Sequence, residues 1–459
     1  MKINNNISAV VTNHRLLSTE NSLTDVMEKL SSGFKINKAQ DDPSGIAISN
    51  KMQAQIDGLD QASDNAQNGI SVLETADGAM NEIEAMLQRM RELAVQAATG
   101  TNSPIDRQAA QDEVESLRDE IDRITSTTEF NTKNLLNGDL DNRVYTDGVT
   151  RVQVSEQVAA GEYDFTVVSN ATAAKISGTV TLDTANTTPF ITDATAGDIL
   201  INDEKVSLTA GMTKSQVYAA LSEGAVNGGA VISEAGQALS FSSMDRGAQS
   251  NLSIEINNPD LAAALGLPDS ASVSGTDAKI ALSTGFNNTA ALSISGDHVT
   301  ITQQGGFEIS MLLNKGSAGS DISLSVEDIG PMAMHIGANM NQNISVKIPS
   351  TSSESLYIDD IDVSSSYGAG KAITKLDDAI SKVNKIRSSL GAYTNRLDYS
   401  YKALDETQEN MTSAISRIED VDMAEAVTDY TKYTVLQQAA TSALSQANEL
   451  PQMALQLLS

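Results

Sequence analysis

The 459-residue chain contains no cysteine and no tryptophan, and aromatic residues make up only 4% of it. Without thiols there can be no disulfide, no thiolate metal ligand and no cysteine nucleophile, an absence that is neutral as to compartment. Positive charge is scarce too: 30 Lys and Arg stand against 60 Asp and Glu, a formal net charge of -30. That excess repels nucleic acid and anionic lipid, so neither is an expected partner, and it keeps a free chain soluble. No stretch approaches the roughly 18 apolar residues of a membrane helix; Leu261–Leu267 is among the longest near-apolar runs. The opening Met1-Lys2-Ile3-Asn4-Asn5-Asn6 lacks the apolar segment and small-residue cleavage site of a secretory leader. If the chain is exported, the expected route reads some other signal.

Groups able to do chemistry are equally sparse. There are three histidines, and His14, His298 and His335 form no pair at metal-ligand spacing and no His-Glu-x-x-His motif. Gly368-Ala369-Gly370-Lys371 faintly resembles a phosphate loop, but Ser365 stands where the first glycine belongs and Ala372 where a magnesium-holding Ser or Thr belongs. The segment is expected to be a flexible joint before the last long helix. Asp359, Asp360 and Asp362 lie close together, yet without a glycine-centred loop of about twelve residues they read as an acidic turn rather than a calcium site. No catalytic residue, metal or cofactor is expected.

What the chain does have is periodicity at its two ends. Composition changes near residue 139 and changes back near residue 370, from Leu, Met, Gln, Arg and Glu outside to Ser, Thr, Gly, Asn and Val inside. In the first end Leu59, Ala66, Leu73, Met80, Leu87 and Ala94 recur every seven residues, each followed three later by Ala62, Gly69, Ala76, Ile83, Met90 and Ala97. That double seam predicts a helix of about 58 Å with small residues where a partner helix approaches. In the second end Leu376, Val383, Leu390, Leu397, Leu404, Met411 and Ile418 hold one heptad position, with Ile373, Ile380 and Ile415 in part of the matching one. A shorter segment carries Ala110, Val114, Leu117, Ile121 and Ile124 and closes at the turn-prone Asn137-Gly138. Asp42 before Pro43 reads as a helix cap with proline at the first helical position.

The extreme ends are thinner. Leu16, Leu23 and Leu30 recur among Asn, Ser and Thr, while Leu436, Leu444 and Leu450 recur among Gln and Ser. Such stripes are marginal as isolated helices, so they are expected to be disordered in a monomer and helical once packed in an assembly. Between the ends, short Val/Ile/Thr runs such as Gly161–Val168 and Leu292–Ile301 alternate with turns and predict β-strands. Within this middle, residues from Ala196 to about Leu267 predict a compact α+β module. The fold class expected is α+β: a long antiparallel helical bundle or coiled coil from both chain ends, with a β-rich variable middle. Its expected domains are 1–44 with 420–459, 45–139 with 329–419, and 140–328, the last including the module at about 196–267.

Two motifs carry a family resemblance. The run from Leu30 to Ile48, with its Ser31-Ser32-Gly33-Phe34-Lys35-Ile36-Asn37 and Asp41-Asp42-Pro43-Ser44-Gly45, resembles the amino-terminal signature of the flagellins. Ile415-Ser416-Arg417-Ile418-Glu419-Asp420-Val421-Asp422-Met423-Ala424-Glu425 and Gln446–Gln452 resemble the carboxy-terminal region of the same family. The resemblance spans about residues 1–139 and 330–459, and the Ala196–Leu267 module is similar to a weaker repeat found in flagellins and hook-associated proteins. Met334-His335-Ile336-Gly337-Ala338-Asn339 matches a strand that in the family often follows the first bundle directly, whereas here it follows the variable middle. The Ile418–Asp422 stretch favours a filament subunit over a hook-filament junction protein.

The resemblance implies a secreted, non-enzymatic subunit that polymerises into the extracellular bacterial flagellum for motility and leaves the cell by the flagellar type III route. Partners implied are further copies of the chain, the junction and cap proteins, an export chaperone on the carboxy-terminal end, and the host flagellin-sensing Toll-like receptor. Receptor-contacting positions of the family fall on Arg89, Leu93 and Glu113, and subunit assembly falls on Leu16, Leu23, Leu30, Leu436, Leu444 and Leu450.

Overall fold

The computed structural model describes residues 6–456 apart from residue 156, residues 183–187, residues 234–236 and residue 288, and leaves aside the side chains of 451, 452 and 454–456. The opening Met1–Asn5 and the last residues of the carboxy-terminal end therefore lie outside the described residues, as do the side chains of Pro451 and Gln452.

Helices α1 (Ile7–Ser32), α2 (Pro43–Ala98) and α3 (Pro104–Thr127) come first, followed by a hairpin of β1 (Glu129–Phe130) and β2 (Lys133–Asn134). Strands β3 (Arg143–Thr146), β4 (Val149–Val154), β5 (Gly161–Ser169) and β6 (Ala173–Thr181) lead to β7 (Gly197–Ile201), β8 (Glu204–Leu208), α4 (Lys214–Asn227) and β9 (Ala230–Ile232). Next are β10 (Ala238–Arg246), β11 (Asn251–Ile256), α5 (Pro259–Leu265), β12 (Ser270–Ser274), β13 (Lys279–Leu282) and β14 (Ala291–Ser295). The chain closes with β15 (His298–Thr302), β16 (Glu308–Leu313), β17 (Asp321–Glu327), β18 (Met332–His335), β19 (Asn343–Val346), α6 (Ser366–Glu419) and α7 (Met423–Gln456). The expected α+β fold class, helical ends around a β-rich middle, is the one found.

The chain divides into two compact units, one of residues 1–68, 335–344 and 396–459, the other of residues 69–334 and 345–395. In the second unit the seam of α2 is buried as its spacing demands, from Leu73, Ala76 and Met80 through Ile83, Leu87 and Met90 to Ala94 and Ala97. Burying each bulky side chain of this row contributes about 1.5–3 kcal/mol. The α6 segment runs antiparallel to it, since Arg387 pairs with Asp77 at 2.9 Å while Arg91 pairs with Asp377 at 2.6 Å. Leu376, Val383 and Leu390 of the expected heptad row are buried. The matching row is not the Ile373 and Ile380 expected, which are only half-buried, but Ala372, Ala379, Ile386 and Tyr393 one residue away. Small alanines let the helices approach closely enough to enclose that row, which leaves the larger isoleucines flanking it.

Helix α3 starts at a complete capping box, Ser103 with Asp106, and has Pro104 in its first turn, the signals that satisfy the free amides of a helix start. Ala110, Val114 and Ile121 are buried, while Leu117 and Ile124 are half-buried. The helix ends at Thr127, and Gly138, with φ +92°, forms the expected turn after the β1–β2 hairpin. Residues 368–371, expected as a flexible joint, are instead the opening of α6. Gly368 is required there because a Cβ would lie 2.4 Å from the Asp362 carbonyl.

The β-rich middle holds two separate cores. One gathers Ile199, Ile201, Val217, Leu221, Leu239, Phe241, Leu252, Ile254 and Leu261 from the four-stranded sheet β12-β11-β7-β8, the three-stranded sheet β6-β10-β9 and helices α4 and α5. This is the α+β module, but it begins earlier than Ala196: Ala174, Ile176, Leu182 and Ile191 belong to the same core. The other core gathers Phe165, Val167, Val299, Ile301, Ile309, Met311, Ile322 and Leu324 between the sheets β13-β5-β17-β3 and β14-β15-β16-β4. Strand alternation accounts for it: in β16 every second residue, Ile309, Met311 and Leu313, points inward.

Candidate assembly surface

The first unit is built on a crossing of the two motifs that carry the family resemblance. Helix α1 ends at Gly33, whose φ of +79° is open to glycine at no steric cost. The chain then runs against the end of α6: Phe34 bridges Asp420 in antiparallel sense, the Lys35 amide donates to the Glu419 carbonyl at 2.6 Å, and the Val421 amide donates to the Gly33 carbonyl at 3.0 Å. Lys35 Nζ adds a hydrogen bond to the Arg417 carbonyl at 2.9 Å, and Ser49 donates to the Glu419 carboxylate. Each departing helix is capped by an aspartate. Asp42 accepts from the Ser44 and Gly45 amides at 3.0 and 2.9 Å, as expected from sequence, and Asp422 accepts from the Ala424 and Glu425 amides at 2.9 and 3.2 Å. Capping carboxylates of this kind complement the positive helix start.

From this crossing α1 and α7 run antiparallel, and Asn6 Nδ2 at the far end donates to the Ala447 carbonyl at 2.8 Å. The pair is incompletely covered. No residue of α1 is buried, and among the described side chains of α7 only Ala426 and Ala447 are. Ile7, Val10 and Leu17 on α1 and Val427, Val435 and Met453 on α7 are each about half exposed or more. Of the expected assembly residues, Leu16, Leu23, Leu30 and Leu444 are half-buried within the pair, while Leu436 and Leu450 are 45% and 55% exposed. The two helices thus make a hairpin whose apolar side chains have too little of their own chain to bury against.

Sequence reasoning did not foresee one packing device of this unit. Gly58 of α2 faces the turn after β18, where a Cβ would stand 3.1 Å from Cβ of Ala338. Nearby, Asn65 Nδ2 donates to the His335 carbonyl at 3.1 Å. Nothing in the sequence singled out Gly58, because α2 also carries Gly45, Gly69 and Gly78.

The expected receptor-facing residues belong to the second unit. Arg89 of α2 is half-exposed and bridges Glu113 of α3 at 2.8 Å and Glu92 at 3.1 Å. Those two carboxylates raise the already high pKa of the guanidinium, Glu113 contributing more. Leu93 is 3% exposed, within the helical core. Arg89 and Glu113 therefore share one surface, and Leu93 lies in the core rather than on that surface.

Titratable groups elsewhere serve structure. Asp359 pairs with Arg151, Asp360 with Lys375 at 2.8 Å, and Asp362 accepts from the Ser364 amide at 2.8 Å. Among the described residues no three His, Cys, Asp or Glu side chains are placed to hold a metal ion, and no helix is long and apolar enough to cross a membrane.

Helical ends that bracket a β-rich middle and leave their apolar stripes open are the architecture of a structural subunit. Residues 3–141 match the family model for the bacterial flagellin N-terminal helical region, and residues 373–458 match that for the C-terminal helical region. The chain is 35% identical to a flagellin of Clostridium tyrobutyricum over 455 residues, covering 98% of this chain and 100% of the relative. It is 31% identical to polar flagellin F of Vibrio parahaemolyticus, covering 99% of each chain. It is also 31% identical to the flagellin of Salmonella typhimurium, again covering 99% of each chain. The chain belongs to the flagellin family. It is a structural subunit of the bacterial flagellar filament, an extracellular polymer that serves motility, and not an enzyme.

Proposed function

We propose that the α1–α7 hairpin is the surface through which copies of this chain polymerise. The observation that carries this reading is the row of exposed apolar side chains on helices with almost no buried residues. Residues 1–44 with 420–459 then act as the inner assembly domain, 45–139 with 329–419 as the surrounding bundle, and 140–328 as the outward-facing variable region. Leu16, Leu23, Leu30, Leu436, Leu444 and Leu450 supply the apolar contacts that neighbouring copies close over. An open helical hairpin that gains little by folding alone also suits passage through a narrow export channel, in keeping with the type III route and a chaperone that shields the carboxy-terminal end. Junction and cap proteins would meet the same surface at the two ends of the polymer.

Changing Leu436 and Leu450 to serine separates folding from assembly, because both side chains are already exposed in the monomer. The monomer should melt unchanged. Each lost burial weakens subunit addition by about 1 kcal/mol, so the critical concentration should rise by roughly thirtyfold for the pair. An unaltered critical concentration, read by sedimentation of seeded protein, would remove these leucines from the contact.

The second part of the reading is recognition of the free subunit by the host flagellin-sensing Toll-like receptor through Arg89 and Glu113, with Leu93 supporting their helix from within the core. An arginine already held by Glu113 and Glu92 loses little freedom on binding, which is how an interface anchor gains its effect. Arg89→Ala should weaken binding of monomer to the receptor ectodomain by roughly thirtyfold with helical content intact. Equal affinity of the two proteins in a surface-binding assay would dismiss the contact.

A further inference from the structure

Residues 350–364 of the second unit form an irregular strap of turns with neither helix nor regular strand, between β19 and α6. Helix α3 holds it by side chains that bond to its backbone. Asp122 accepts from the Ser353 amide at 2.7 Å, and Arg118 donates to the Asp359 carbonyl at 3.3 Å. Gln111 donates to the Ile361 carbonyl at 3.2 Å and accepts from the Val363 amide at 2.7 Å.

On the strap's other side Tyr357 is wedged among basic groups from three elements. Its ring lies 5.2 Å from that of His298 on β15, 5.2 Å from Nζ of Lys382 on α6 and 5.7 Å from the guanidinium of Arg151 on β4. Its hydroxyl donates to the Arg151 carbonyl at 2.8 Å. Both residues have left-handed backbones, φ +59° for Tyr357 and +54° for Arg151, which for non-glycine residues costs energy that surrounding contacts must offset. Arg151 also sits at a register shift in the β4–β16 pairing, and the bulge turns its side chain toward the strap.

The charges around this ring are nearly spoken for. Arg151 is paired with Asp359 of the strap, and Lys385 of α6 with Glu308 of β16 at 3.1 Å. Among the described residues Lys382 donates to the uncharged Ser355 carbonyl, at 2.8 Å. Asp378 of α6 favours the charged form of His298, but burial and the Lys382 charge oppose it more strongly and lower the His298 pKa. Strand β14, the neighbour of β15, brings no charge.

We propose that His298 is an acid-releasable catch for the strap: neutral, it seats Tyr357 against β15 and α6; protonated, it sets a third cation beside Lys382 and Arg151 around one ring and lets the strap lift. Histidine is the side chain whose charge changes in the range where such a catch could work. Its pKa is higher with the strap lifted than seated, so the lifted state binds more protons. The histidine's contribution to seating is complete above the ordinary value of about 6.5 and weakens as pH falls below it. Lys382 acts in the same sense at higher pH. Burial pushes its pKa down to about 8, so seating tightens further as pH rises from about 8 toward the ordinary lysine value.

Hydrogen exchange on the full-length monomer tests the catch. Corrected for intrinsic rates, protection of strap amides should fall by up to about tenfold per pH unit below about 6.5, and His298→Gln should abolish that slope. Should the variant fail to fold, NMR titration of the His298 ring in the unaltered protein decides: a midpoint below about 6.5, moving upward in Lys382→Met, supports the catch. A His298 midpoint at or above the ordinary value, strap protection independent of pH in this window, or the full slope retained in His298→Gln would each overturn it.

Discussion

A chain lacking residues 420–459 folds, stays soluble and forms no filaments. The truncation removes α7 (Met423–Gln456) and with it the bridge between Phe34 and Asp420. Little monomer stability goes with it, because α1 buries none of its residues and α7 buries only Ala426 and Ala447 among its described side chains. The cores of the second unit lie in residues 69–334 and 345–395 and are untouched. What disappears is one half of a hairpin whose Val427, Val435, Leu436 and Leu450 are exposed and form the proposed contact with another copy. Several such side chains at about 1 kcal/mol or more each exceed the margin on which subunit addition rests, so the effect should be all-or-none rather than a shift. Circular dichroism should show helix content falling by no more than the deleted segment and its partner α1, and sedimentation should find no polymer at any workable concentration. Truncated protein that elongates seeds at the normal critical concentration would mean that the apolar row has another purpose.

Phe241→Ala is expected to unfold the α+β module at a lower temperature while leaving polymerisation intact. Phe241 is fully buried in β10, the central strand of β6-β10-β9, opposite Ile176 on one side and Ile232 on the other. Removing a ring from such a site costs about 3–5 kcal/mol, the loss of transfer energy plus the cavity left behind. That is a large share of what a module of this size can spare. The module's core is separate from that of the neighbouring pair of sheets and from the helical seam, so calorimetry should show one transition moving down and the others holding. A single transition that moves as a whole, or loss of filaments, would show that the module and the helices fold as one cooperative body.

Legibility followed the range of the interaction. The α2 seam could be read residue by residue because a heptad repeats within one helix and needs no knowledge of the partner. The second row of α6 was misread because Ile373 and Ile380 are the more apolar choice, whereas closeness of approach selected Ala372 and Ala379. The strand-rich middle was legible from its alternation, but Ala174 and Ile176 entered the module's core from a strand whose partner β10 lies far along the chain. Arg89 and Glu113 could be chosen from the sequence; that they share a surface while Leu93 lies in the core depended on how α3 packs on α2.

By itself the sequence determined the acidic charge, the absence of thiols, the two long amphipathic helices, the capping aspartate before α2 and the thin apolar stripes at the termini. All of these are properties of composition or of periods shorter than a few helical turns. Tertiary structure alone decided that Gly33 to Lys35 would meet Glu419 to Val421, that a glycine in α2 would receive the turn at Ala338, and that Tyr357 would sit in a left-handed conformation among Arg151, His298 and Lys382. Those are single contacts between distant segments with no repeat to announce them. Their free energy comes from burial and hydrogen bonding that exist only after the helices and sheets have packed.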